Sequence, residues 1–145
     1  MKLSVLAPLL SVASAALAQN IQLSSPTDNA TVTPGQNTTV QVSFTNSLTG
    51  AKHVAVVIGL ASCPADSGCP PDAYYSLGTP MYVGGYEPEL HESDQPPYQN
   101  FSVQIPEGSS EGVNLLTVAH FMLLGASTVP VLDFSNATVN VGPAN

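Results

Sequence analysis

Polar and apolar residues alternate along most of this chain. In Thr38–Thr45, Val40, Val42 and Phe44 fall on one side and Gln41, Ser43 and Thr45 on the other. In Asn100–Ile105, Phe101, Val103 and Ile105 point one way and Asn100, Ser102 and Gln104 the other. A period of two is that of a strand with one face in the core. His53–Leu60 is apolar at both parities and rich in valine, as a central strand would be. Ile21 and Leu23 open a first strand, and Met81–Val83 makes a short edge strand. SPTDNATVTPGQN and Pro106-Glu107-Gly108 supply the turns between these runs.

The most apolar run beyond the N-terminus is GVNLLTVAHFMLLGASTVPVL, Gly112–Leu132. Asn114, His120, Gly125, Ser127, Thr128 and Pro130 interrupt it and no charged anchors flank it, which argues against a membrane span. The reading is a central strand over Val113–Leu124, a turn over Gly125–Thr128 and a last strand over Val129–Val141. In that last strand Leu132 and Phe134 share one parity, whereas Ala137, Val139 and Val141 have the other. A bulge near Ser135 is therefore expected. Short strands at this spacing predict an all-β fold, an immunoglobulin-like antiparallel β-sandwich.

The first eighteen residues, MKLSVLAPLLSVASAALA, have a positive start, a short apolar core and a small-x-small end. They read as a secretory signal peptide, leaving residues 19–145 as one domain. The chain closes on VNVGPAN, so no lipid or membrane anchor is expected. Without Lys2, Lys52 is the one basic residue against ten acidic ones, and the net charge moves from −8 to −9. Such a chain cannot neutralise phosphates, so nucleic acid is excluded as a partner. A basic partner surface would be steered towards it.

Secretion favours oxidised cysteines, and Cys63 and Cys69 in CPADSGC are placed to staple one loop. Closing so short a ring is worth roughly 2 kcal/mol. Four N-x-S/T sequons, at Asn29, Asn37, Asn100 and Asn136, are candidate glycosylation sites on the surface.

His120 shares its parity with Leu116, Val118 and Met122 and is expected as a hydrogen-bonded core or edge residue. His53 and His91 could join it only through the fold. No G-x-S-x-G elbow is present, and Gln19 stands where a histidine-brace oxidase needs histidine. Neither a metal nor another cofactor is expected. YEPELHESD, Tyr86–Asp94, gathers Glu87, Glu89, His91, Glu92 and Asp94. It reads as a solvated acidic loop, with cation binding or carboxylate-based glycoside hydrolysis as the sharper alternatives. All five tyrosines, Tyr74, Tyr75, Tyr82, Tyr86 and Tyr98, fall between Cys63 and Tyr98, with seven prolines and no sequon. Tyrosines on a proline-stiffened loop are the materials of a protein-binding face. Against this stands the plainer reading that several of them cover the core.

The chain resembles the necrosis-inducing secreted protein family of fungal effectors. The resemblance is carried by TPGQNTTVQV, HVAVVIGLAS, LGTPMYVGGY, QNFSVQIPEGSSEGVNLLTVAHFMLLGAS and PVLDFSNATVNVG, behind a signal peptide. CPADSGC and YEPELHESD lie outside it. The resemblance implies a secreted, non-enzymatic fungal protein that reaches plant tissue. It also implies binding to immune receptor-associated kinases, damping the host response. No contact residue is carried over. A weaker similarity links IQLSSPTDNATVTPGQNTTVQVS to the immunoglobulin-like domain of fungal glucan-assembly proteins. That gives the alternative, a structural protein associated with cell-wall polysaccharide.

Overall fold

The computed structural model describes residues 21–45, 50–69 and 76–144. The expected signal peptide, Tyr74 and Tyr75 lie outside these. Eight strands follow one another: β1 (Ile21–Ser25), β2 (Ala30–Val32), β3 (Asn37–Phe44), β4 (Ala51–Ser62), β5 (Thr79–Gly84), β6 (Tyr98–Gln104), β7 (Gly112–Leu124) and β8 (Val129–Val141). They form a three-stranded sheet, β1-β3-β6, and a five-stranded sheet, β2-β8-β7-β4-β5. Every pairing is antiparallel except β2 with β8. The short β2 lies inside the stretch expected to be all turn, so the sandwich is not wholly antiparallel.

This division of strands is that of an immunoglobulin-like sandwich, with β4, β7 and β8 at the centre of the larger sheet and β2 and β5 flanking them. Valine-rich alternation produces the core. Val40 and Val42 of β3, Val56 and Ile58 of β4, Phe101 and Val103 of β6, and Val118 and Met122 of β7 are all buried between the sheets. Burying each such side chain contributes about 1.5–3 kcal/mol. The run Gly112–Leu124 is thus a central strand, with β8 on one side and β4 on the other. The tight turn into β8 places Gly125 and Thr128 at positive φ.

The expected bulge at Ser135 is absent. β7 and β8 stay in register from Gly112 opposite Val141 to Leu124 opposite Val129. Val131, Asp133, Ser135, Ala137, Val139 and Val141 all keep the inward parity, and Leu132 and Phe134 take the outward one. Asp133 and Ser135 turn inward because β1 needs them. The Ile21 N–H donates to Asp133 Oδ2 at 2.7 Å, and the Leu23 N–H to Ser135 Oγ at 2.9 Å. These bonds tie an edge of the smaller sheet to the larger one. The register instead shifts in β4, between His53 and Ala55.

Over the outer face of β4, the segment before β5 lies flat against the strand. A Cβ on Gly59 would collide with the Leu77 carbonyl, and one on Gly78 (φ +73°) with the Leu60 carbonyl. Glycine is required at both places by close approach of backbone.

Candidate binding surface

Cys63 and Cys69 are joined in a disulfide with Cα atoms 4.1 Å apart. The loop they close extends β4 and is held to β7 by the Cys63 N–H donating to the Val113 carbonyl at 3.0 Å. Within it, the Gly68 N–H donates to the Pro64 carbonyl at 2.7 Å. An open depression of about 590 Å³ separates this loop from Glu111, Gly112 and Val113.

The three described tyrosines do not share one face. Tyr86 is a core residue, only 2% exposed. Its hydroxyl donates to the Val42 carbonyl at 3.1 Å, and burial pushes its phenol well up from the usual value. Tyr82 packs on Phe101, with ring centroids 4.7 Å apart, and its hydroxyl donates to the Gly85 carbonyl at 3.2 Å. Tyr98 alone turns outward, stacked on His91 at 4.3 Å, with its hydroxyl donating to Glu92 Oε1 at 3.2 Å. Tyr86 is therefore removed from the expected binding face. The physical reason is the pair Gly84-Gly85, after which the chain crosses from the five-stranded sheet towards the smaller one. The residue at the crossing fills the gap between the two sheets.

The absence of sequons from Cys63–Tyr98 in sequence does not separate that segment from the sequons in space. All four sequon asparagines are exposed, and Asn37 and Asn100 both lie on the outer face of the three-stranded sheet. Asn100 lines the same 310 Å³ depression as Glu87, Glu89, His91 and Tyr98. Asn136 faces outward on β8, and Asn29 sits in the turn before β2 with φ of 64°.

Sequence reasoning missed one constellation. The register shift at Val54 turns His53 inward, where its Nδ1 lies 3.1 Å from Nε2 of His120. Phe44 and Tyr86 close over the pair edge-on, with centroids 4.7 Å from the His53 ring and 4.9 Å from the His120 ring respectively. Burial holds His120 down at about 4, helped by the charge His53 would carry, and burial also lowers His53. His120 Nδ1 has no hydrogen-bond partner. His91 is remote from this pair in its stacking on Tyr98. Among the described residues no three His, Cys, Asp or Glu side chains are grouped to hold a metal ion. No described helix is long and apolar enough to cross a membrane.

Outside the core, the larger sheet shows apolar side chains to solvent. Phe121 and Leu132 are cross-strand neighbours, 37% and 58% exposed, and Val83 on β5 is 69% exposed. Leu132 and Phe134 share this outer face with Asn136, with no bulge between them.

Together these features define an acidic, disulfide-bonded β-sandwich domain of immunoglobulin type. The family model for the Nis1 family, necrosis-inducing secreted 1, matches residues 15–140, and the chain belongs to that family of fungal effectors. No curated protein matches it. A solved structure of murine CRIg is similar at 14% identity, with 86% of this chain and 99% of that chain covered and a TM-score of 0.47.

Proposed function

We propose that this protein is a secreted, non-enzymatic effector that enters plant tissue. There it binds an immune receptor-associated kinase and damps the host response. Membership of the Nis1 family over residues 15–140 is the observation that carries this reading. The surface is compatible with it. Glu87, Glu89, His91 and Glu92 are exposed around the outward Tyr98, and a charge of −9 steers basic partners. Masking a protein surface needs no catalytic group, only a stiff scaffold and a complementary patch.

The test is the oxidative burst of leaf tissue challenged with a microbial elicitor, with and without the protein expressed there. Suppression of the burst is the expected result. A normal burst, with folded protein shown to be present, would overturn the reading.

A further inference from the structure

We propose that Asn100 carries an N-linked glycan whose first sugar, an N-acetylhexosamine, is seated in the depression beside it, against the rings of Tyr98 and His91. This rests on the reading of the protein as secreted, since such a glycan is added on the secretory route. It goes beyond that reading by giving one glycan a fixed place on the fold.

Asn100 and Ser102 of the sequon stand on β6, on the outer face of the three-stranded sheet, and both are exposed. Side chains two apart in a strand share a face at a spacing of about 6–7 Å, so Tyr98 is the neighbour of Asn100 there. β3 runs along one side of β6, with Gln41 opposite Asn100. Gln41 Nε2 donates to Asn100 Oδ1 at 3.2 Å. That bond turns the carbonyl end of the Asn100 amide towards β3. Nδ2, the atom that takes the sugar, is turned to the opposite side of β6, where Glu89 is bridged to Tyr98. The linkage replaces one Nδ2 hydrogen and leaves Oδ1 as an acceptor, so the bond from Gln41 survives glycosylation.

The depression of about 310 Å³ that Asn100 lines has Glu87, Glu89, His91, Tyr98 and Gln99 as its other walls. Its two rings are already ordered. Tyr98 and His91 stack with centroids 4.3 Å apart, and the Tyr98 hydroxyl is tied to Glu92. The Glu87 N–H donates to Gln99 Oε1 at 2.7 Å, which holds the acidic segment against β6. A pyranose has an apolar face of C–H groups and a rim of hydroxyls. The face packs on an aromatic ring, and the rim donates to carboxylates such as those of Glu87 and Glu89. Walls fixed in advance leave little of the protein to be ordered when the sugar settles. Asn37 lies on the same face of the sheet without such a seat, with Thr39 beside it and Gln104 opposite. A sugar on Tyr98 and a protein partner on Tyr98 exclude each other, so only chains unmodified at Asn100 leave this patch open to a partner.

The experiment takes the full chain secreted from a ¹³C-labelled yeast culture, with its glycans trimmed enzymatically to one sugar at each occupied site. Glycopeptide mass spectrometry should find Asn100 occupied, and an unmodified Asn100 would overturn the proposal. In the NMR spectrum of the trimmed protein, protons of the Asn100 sugar should be shifted upfield by ring currents and show nuclear Overhauser contacts to the Tyr98 ring. Ser102→Ala deletes the sequon and so assigns those signals. Tyr98→Phe should keep the upfield shifts, and Tyr98→Ala should lose them with the spectrum of the core unchanged. An Asn100 sugar without upfield shifts or contacts to Tyr98 in the wild-type protein would overturn the seat, whatever the variants do. These readings are made on the isolated protein. A sugar found free in solvent therefore fails here and leaves the proposed suppression of the burst standing.

Discussion

His53 Nδ1 and His120 Nε2 face each other at 3.1 Å inside the sandwich, with one ring donating and the other accepting. The bond requires at least one neutral ring, since two imidazolium rings would both be donors. His120 is fully buried, its other nitrogen has no partner, and its proton affinity is depressed to about 4. In the unfolded chain both rings would titrate near 6.5.

Between those values the unfolded chain binds a proton that folded His120 does not. Stability is therefore complete above about pH 6.5 and falls as the pH drops towards 4. The depression at His120 corresponds to roughly 3 kcal/mol lost across that window, an order-of-magnitude figure. The melting temperature should fall steadily from pH 7 to pH 4.5. His120→Leu should flatten this dependence and be more stable than the wild type at pH 5, because the buried ionisable group is gone and half-buried His53 retains access to water. Equal pH slopes in the two proteins would contradict the assignment.

Tyr86 fills the space above that pair. Tyr86→Phe removes one buried hydrogen bond to the Val42 carbonyl and should cost about 1–2 kcal/mol. Tyr86→Ala adds a cavity among His53, His120 and Phe101 and should cost about 3–5 kcal/mol. Urea midpoints measure both. Loss of partner binding in Tyr86→Ala would consequently report unfolding, whereas Tyr98→Ala, at an outward position, should leave the midpoint within about 0.5 kcal/mol of wild type.

Asp133 and Ser135 anchor β1 without any strand pairing to it from their own sheet. Asp133→Ala should release the Ile21 amide from a charge-assisted bond, costing about 1.5–3 kcal/mol. Its hydrogen exchange should quicken well before that of Val118 in β7. Asp133→Asn keeps an acceptor at the position and should restore most of the protection.

The same two residues show why the fold was legible and the register of β8 was not. Alternation in Val40–Phe44 and Phe101–Ile105 marks the buried face because nothing but the core competes for it. In β8 the rule that polar residues face out gives the wrong side for Asp133 and Ser135. The backbone donors that draw them inward belong to a strand 112 residues away in sequence. The His53–His120 pair was hidden for a related reason. It depends on one extra residue in β4, and a single-residue shift inverts every face beyond it. Tyrosine clustering in sequence was visible, but only the crossing at Gly84-Gly85 decides that Tyr86 goes in and Tyr98 stays out.

The close seat of Leu77 on β4 yields the last prediction. Gly59 is opposite Thr117, which is buried although it lies on the outer face of the sheet. The Leu77 backbone occupies the space a side chain at position 59 would need. Gly59→Ala must therefore push the 76–78 segment off β4 or distort the strand, at a cost of about 1–3 kcal/mol. If the segment yields, the damage stays local: amides of Leu77 and Gly78 exchange faster while those of Leu116 and Val118 keep their protection. If the strand yields, protection falls along β4 and β7 together. The local outcome is expected, since displacing β4 would break pairings on both of its sides whereas lifting Leu77 breaks none of the sheet. Gly78→Ala should be the harsher change, because it meets the Leu60 carbonyl and must also hold φ near +73°.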